Sequence, residues 1–485
     1  MVAVNNQLDY SSLRLGIIGG GPGGYEAAMV ASSLGAQVTI VESHGVGGSA
    51  VLTDVVPSKT LIATADAMTA AADADALGIK FASAGGATGD TPGLDTSTPA
   101  PAMWADLAGV NQRLLALAKD QSADIQAALE RKGVRVVRGR GRLRADHTIE
   151  ATTGSGTERI EVDAVLLAVG ASPRVLPAAQ PDGERILTWK QVYNLDRLPE
   201  HLIVIGSGVT GAEFASAFVG LGSDVTLVSS RDRVLPGEDP DAAAVLEDVL
   251  QKRGLNLLPR TRANAVARTA DGVVVTLADG STVAGSHCLL AVGAVPNTED
   301  LGLEEAGVAT TEAGHVVVDG VSRTSAFNVY AAGDCTGVMP LASVAAMQGR
   351  IAVAHLLGDA VKPLRIKQVS SNIFTSPEIA TVGVTEADVE SGRYQADVFT
   401  LSLKSNARAK MMHVKDGFVK VFARQGSGTV IGGVVVGPRA SELIYPLAIA
   451  VSQKLNVDDV ASTFTVYPSL SGSIAEAARR LHVHQ

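Results

Sequence analysis

Two short glycine-rich strings carry the clearest chemistry in the chain. GGGPGG places Gly19, Gly21 and Gly24 in a G-x-G-x-x-G arrangement, and GSGVTG places Gly206, Gly208 and Gly211 in the same one. In such a string the first glycine makes a tight turn, and the second lets the backbone approach a pyrophosphate at a helix N-terminus. The third allows helix to pack closely on sheet. A lone glycine string is a weak signal, so the flanking elements decide. The first string follows the apolar run LRLGII and precedes the helical pattern YEAAMVASSL and the strand-like QVTIVE; the second lies in LIVIGSGVTGAEFASAFVGLGSDVTLVSS. Strand, glycine turn, helix and strand form a βαβ unit of a doubly wound sheet, here present twice. Two dinucleotide sites in one chain imply electron transfer between two cofactors.

The two units differ where the second strand ends. Glu42 closes that strand 23 residues after Gly19, where a carboxylate accepts hydrogen bonds from a ribose diol. The second unit reads VTLVSSRDR, with Ser229 at the ribose position, then Arg231 and Arg233. A missing carboxylate beside guanidinium groups suits a 2′-phosphate, so NADPH is the expected co-substrate. The alternative is that these arginines are merely solvated and NADH serves as well.

The bulk numbers narrow the class. At 485 residues the chain should fold as about three domains. Hydrophobic residues make up 46%, as in a globular protein, and a net charge of −10 argues against a nucleic-acid partner. The basic stretch RVVRGRGRLR, from Arg135 to Arg144, reads as a strand and turn with outward arginines. No apolar run reaches the roughly 18 residues of a membrane span. The start, MVAVNNQLDYSS, lacks a signal pattern, so a cytoplasmic protein is expected. Cys288 and Cys335, the only cysteines, exclude a disulfide framework and read as small buried residues. The histidines show no ligand spacing; His482 and His484 read as frayed tail, and no metal site is indicated. The Gly, Ser, Thr, Asp and Pro-rich segment from Ser83 to Pro101 reads as a solvated loop.

The order of motifs resembles the pyridine nucleotide-disulfide oxidoreductases, the family of dihydrolipoamide dehydrogenase and glutathione reductase, over nearly the whole chain. The resemblance implies that the first string binds FAD and the second NAD(P)H. It implies that YAAGD, with Gly333 and Asp334, returns to the FAD domain and that Asp334 contacts the flavin's sugar-alcohol chain. Gly141 in GRGRL is then expected near the adenine and Ala342 in PLASVA near the flavin. Gly48 in GGSAVLTDVVPSK and Gly293 in AVGAVPN complete the expected cofactor-binding set. Lys59 in PSK is expected beside flavin N5, paired with Glu213 of G-x-G-x-x-G-x-E; the bland alternative is a surface lysine and a helix-face glutamate.

The expected fold class is α/β, with two Rossmann-like doubly wound nucleotide-binding domains and a C-terminal α+β dimerisation domain. Its expected boundaries are 1–175 for the first part of the FAD domain and 176–295 for the NAD(P) domain. Residues 296–360 would form the second, central part of the FAD domain and 361–485 the interface domain of a homodimer.

Departures from the family decide the expected activity. Its disulfide reductases carry G-G-x-C-x-x-x-x-C-x-P-S-K, whereas this chain reads GGSAVLTDVVPSK, with Ala50 and Val55 at the cysteine positions. Neither residue forms a thiolate, so dithiol exchange is unavailable. The family's H-P-T-x-S-E is here YPSLSG, with Tyr467 replacing the histidine and Gly472 the glutamate. A phenol titrates near pH 10 and cannot relay a thiol proton as imidazole does. Thiol chemistry has gone while both nucleotide strings persist; drift in a dead protein would erode those too.

Members of the family that lack both cysteines include NAD(P)H:quinone reductases. The expected reaction is therefore NAD(P)H plus quinone giving hydroquinone through FAD, with Ala50 and Val55 leaving an apolar slot for a flat acceptor. Tyr467 of the second subunit would stack on the quinone or donate a hydrogen bond, the alternative being simple packing. A soluble transhydrogenase and a non-catalytic flavin-binding regulatory protein are the alternatives.

Overall fold

The computed structural model describes residues 12–79 and 103–482. The loop expected at 83–101 and His484 lie outside the described residues. The chain divides into two compact units, one of Met1–Ser58, Gln112–Arg174 and Gly293–Ile366, the other of Lys59–Asn111, Val175–Val292 and Lys367–Gln485.

The first unit is built on a parallel five-stranded sheet. Its strands run in the order Val329–Ala331, Ala164–Leu167, Arg14–Ile18, Gln37–Glu42 and Arg135–Arg138. Aliphatic runs form these strands because both faces are covered, so successive side chains are buried rather than alternating. Ile17 and Ile40 are 0% exposed, and burying such a side chain contributes about 1.5–3 kcal/mol. The helix Pro22–Ser33 packs on the helix Ala342–Leu356 on one side. A three-stranded antiparallel insert, Arg140–Leu143, Thr148–Thr153 and Gly156–Glu161, supplies Leu143, Ile149 and Ile160 to a core cluster with Val165 and Leu167.

Four arginines of the basic stretch, Arg135, Arg140, Arg142 and Arg144, reach carboxylates. Arg135 pairs with Glu158 at 2.6 Å, Arg142 with Glu305 at 2.7 Å, and Arg144 with Glu150 at 2.5 Å and Glu305 at 3.1 Å. Its charge is thereby locally balanced, in keeping with the strand-and-turn reading.

The second unit repeats the plan. Its parallel sheet runs Asn256–Leu258, Asp224–Val228, His201–Ile205, His287–Leu290 and Ile186–Thr188, and an antiparallel insert of Ala263–Arg268, Val273–Leu277 and Thr282–Gly285 follows. The duplication differs at one edge: the first sheet takes its last strand from far downstream, the second takes Ile186–Thr188 from just upstream.

This unit also holds an antiparallel five-stranded sheet, in the order Ser370–Ile373, Glu378–Gly383, Val430–Gly437, Phe418–Arg424 and Ala396–Ser402. The helices Ala440–Gln453 and Gly472–Arg479 contribute Ile444, Leu447, Ile474 and Ala478 to its core. Among the described residues no helix is long and apolar enough to cross a membrane. His482, read as frayed, instead places Nδ1 2.7 Å from Asp458 Oδ1; an acid on another turn is invisible to sequence spacing.

Candidate functional site

The two glycine strings adopt one geometry. Gly19 has φ +102° and Gly206 φ +110°, and a Cβ on either would lie 2.2 Å from the carbonyl oxygen of Ala168 or Ala291. A Cβ on Gly24 would lie 2.0 Å from Gly19 O, and one on Gly211 1.8 Å from Gly206 O. Any larger residue would push the helix off its sheet. The middle glycines are different. A Cβ on Gly21 would meet only Ala168 O at 4.0 Å, and one on Gly208 nothing within 4 Å. Each is the N-cap of its helix, Pro22–Ser33 or Val209–Leu221, and among the described residues no side chain caps either. Open space over uncapped amides at the positive end of a helix dipole is where a pyrophosphate fits.

Around the first string, Glu42 is buried and its carboxylate accepts from Gly20 N at 2.6 Å, His44 N at 2.7 Å and Gly45 N at 3.3 Å. A carboxylate offers about four acceptor directions, so one remains for a ligand hydroxyl. Gly48 packs against the string, a Cβ there falling 2.8 Å from Gly21 Cα, and a Cβ on Gly141 would strike Ile18 Cγ2 at 2.9 Å. Gly333 donates its N–H to Gln348 Oε1 at 2.8 Å, and Asp334 opens the short turn Asp334–Thr336. Burial raises the Asp334 carboxyl above the usual range, opposed by His315. Ala342 begins the helix whose Ala345 lies against Gly23 and Gly333. Strings from four parts of the chain thus meet in the first unit. These residues fit a flavin dinucleotide.

Around the second string, Ser207 and Ser229 occupy the places of Gly20 and Glu42. Their hydroxyls are 2.7 Å apart and Ser229 is fully buried. A neutral hydroxyl pair replaces a carboxylate on a backbone amide. Ser229 Oγ also accepts from Arg231 N at 3.1 Å. The Arg231 side chain is exposed and forms no ion pair among the described residues, whereas Arg233 pairs with Asp232 at 3.1 Å. Gly293, with φ +93°, sits where the chain returns to the first unit and accepts from Arg174 N at 2.9 Å.

Glu213, on the second string's helix, places Oε2 2.7 Å from Lys59 Nζ. Its Oε1 accepts from Phe374 N at 2.9 Å, and Lys59 Nζ lies 5.1 Å from the Phe374 ring centroid. The expected pairing is present. Ala50, on the helix Gly48–Leu52, and Val55, which begins the helix Val55–Ala72, are half-buried. Cys288 and Cys335 are buried, and burial pushes both thiols up to about 12, so neither supplies a thiolate. Tyr467 is 87% exposed, beside Phe464 at 103% and Val466 at 77%. Gly472 begins the last described helix.

Residues 13–349 match the family described as pyridine nucleotide-disulphide oxidoreductase, and residues 369–478 match the dimerisation domain of the same name. The chain belongs to the pyridine nucleotide-disulphide oxidoreductase family, and the α/β class with Rossmann-like domains expected from sequence is its fold. It is 52% identical over 481 residues to the NAD(P)H dehydrogenase (quinone) of Mycobacterium tuberculosis, covering 97% of this chain and 94% of the relative. Crystalline LpdA from the same organism matches with a TM-score of 0.90 and 51% identity, over 97% of this chain and 100% of that one. A dihydrolipoyl dehydrogenase of Haloarcula marismortui is 32% identical over 469 residues, covering 95% of each chain.

Sequence reasoning missed three features. Ser207 pairs with Ser229. Asn372 has neither amide nitrogen nor amide oxygen bonded among the described residues, though both are buried. Lys420, 1% exposed, gathers Asp239, Asp241 and Glu386. Only the serines left a signal, both falling at matched positions of the two strings.

Proposed function

We propose that the chain is an FAD-dependent NAD(P)H:quinone oxidoreductase without disulfide reductase activity, working as a homodimer in the cytoplasm. One observation carries this reading: both glycine turns and the Lys59–Glu213 pair are present, while Ala50 and Val55 stand at the thiol positions. The M. tuberculosis relative, an NAD(P)H dehydrogenase (quinone), supports it. The four-segment domain division belongs to the same proposal.

When bound, FAD supplies a two-electron carrier between a nicotinamide and a second substrate. Gly19, Gly21 and Gly24 would hold its pyrophosphate, Glu42 its ribose, with Gly48, Gly141, Gly333, Asp334 and Ala342 lining the rest. Gly206, Gly208 and Gly211, together with Gly293, would hold the nucleotide co-substrate, and Arg231 would take a 2′-phosphate. Lys59, its charge fixed by Glu213, would orient the flavin ring and favour negative charge there. Ala50 and Val55 would give an apolar wall suited to a flat quinone. Tyr467 of a second copy would cover that acceptor, and the exposed Phe464 and Val466 support an interface there.

The test is steady-state turnover of NADPH with menadione, set beside lipoamide and glutathione disulfide. Rapid quinone reduction with negligible disulfide reduction is expected. NADPH-dependent reduction of an NAD analogue exceeding quinone reduction would favour a transhydrogenase instead.

A further inference from the structure

The loop that follows Ser229 is held at both ends. At its start, Ser207 Oγ meets Ser229 Oγ at 2.7 Å and Arg233 O at 3.3 Å, and Leu235 N donates to Ser207 O at 2.8 Å. Leu235 lies in the left-handed region, with φ +51°. At its end, Asp239 caps the helix Pro240–Lys252, its Oδ1 accepting from Asp241 N and Ala242 N, each at 3.1 Å. The same carboxylate receives Lys420 Nζ at 3.1 and 2.9 Å.

Lys420 lies on the inner strand Phe418–Arg424 of the antiparallel sheet, with its side chain 1% exposed. Asp241 accepts from Nζ at 2.7 Å, Glu386 accepts as well, and the Phe418 ring lies 5.6 Å away. One ammonium therefore faces three carboxylates, of which Asp239 is 4% exposed. Without that ammonium, mutual repulsion and the desolvation of Asp239 would drive the acids apart. Asp239 is the only one of the three that is almost fully buried, and it is also the helix cap, so the disturbance falls on the end of the loop.

We propose that Lys420 is a positioning residue for nucleotide discrimination: by holding Asp239 it fixes the loop that presents Arg231 to the 2′-phosphate. The inference rests on the reading that Arg231 takes that phosphate. It joins a lysine in the C-terminal sheet to the choice between NADPH and NADH, which differ only at the group this loop would meet. A fixed loop matters because a guanidinium on a wandering backbone must be ordered at each binding event.

The experiment uses the FAD-loaded full chain and the variants Lys420→Met, Lys420→Arg, Asp239→Asn and Arg231→Ala. In Lys420→Met the KM for NADPH should rise on the order of tenfold relative to the KM for NADH, with kcat held. Lys420→Arg, which keeps a cation, should recover most of the difference. Tryptic cleavage after Arg231 and Arg233 should quicken in Lys420→Met and be slowed again by NADPH. If Lys420→Met does not fold, Asp239→Asn keeps the cap, weakens the tether and should show the same KM split in smaller measure.

An unchanged ratio of the two KM values together with unchanged cleavage overturns the proposal. Equal rises in both KM values also overturn it, since a merely structural role would not distinguish the nucleotides. Arg231→Ala separates the premises: if it leaves the KM for NADPH unmoved, the phosphate reading fails, and the cleavage rates still report whether Lys420 orders the loop.

Discussion

Glu213 holds Lys59 with one carboxylate oxygen, at 2.7 Å, and the backbone amide of Phe374 with the other, at 2.9 Å. The glutamate is almost fully buried and the lysine is one-quarter exposed, at 6% and 26% of their side-chain surface. A cation so placed has lost much of its freedom to wander. Its charge is aimed by the protein before any ligand arrives, which is the condition for electrostatic help at no reorganisation cost.

Replacing Glu213 with Gln should therefore slow flavin reduction by NADPH on the order of tenfold or more, as loss of an oriented charge does. Leaving Lys59 without its counter-ion should also lower stability by about 1–3 kcal/mol. Stopped-flow absorbance and urea denaturation read the two effects. An unchanged reduction rate would remove Lys59 from the proposed chemistry.

The hydroxyl pair of Ser207 and Ser229 predicts an interconversion. Ser207→Gly with Ser229→Glu rebuilds the amide-to-carboxylate contact that Gly20 and Glu42 make at 2.6 Å. The double variant should move preference toward NADH on the order of tenfold, about 1.4 kcal/mol. Comparison of kcat/KM for the two nucleotides checks it; no movement would mean that the strand end does not set the choice.

Phe464 and Val466 are fully or largely exposed apolar side chains beside Tyr467. A charge placed on this patch, by Phe464→Asp or Val466→Asp, should shift the homodimer toward monomer and reduce quinone turnover while flavin stays bound. Sedimentation velocity reads the first effect. A variant that remains fully dimeric would place the interface elsewhere.

His287 gives a pH dependence whose sign is fixed. Burial, with help from Arg185, lowers its pKa from 6.5 to about 4, so the folded chain keeps the ring neutral. Below pH 6.5 the unfolded chain takes up a proton that the folded chain refuses, and stability contributed at this site falls until about pH 4. The urea midpoint should drop between pH 7 and pH 5, and His287→Gln should flatten that drop. An equal drop in the variant would assign the effect to other groups.

Much of this was legible in the sequence because it is local. Gly19 and Gly24, or Gly206 and Gly211, are close in the chain, and a turn, a helix and an apolar strand leave little choice of geometry. Lys59 and Glu213 are 154 residues apart, and only the family resemblance pairs them. Lys420 had no such help. A lysine in a strand reads as a solvent-facing residue, and the acid that buries it lies 181 residues away. The His482 contact is hidden for the same reason, its partner Asp458 lying on the helix Val457–Ser462. The exposure of Tyr467 belongs to a surface, which periodicity within one chain does not describe.

With Ala50 and Val55 at the thiol positions, the reduced flavin should pass its electrons to a flat apolar acceptor and not to a disulfide. Anaerobic mixing of the NADPH-reduced, FAD-loaded enzyme with menadione tests it most directly, with oxidised lipoamide in a parallel syringe. Rapid return of the oxidised flavin spectrum is expected with menadione, and essentially none with lipoamide over the same time. Flavin reoxidised by lipoamide as fast as by menadione would contradict it.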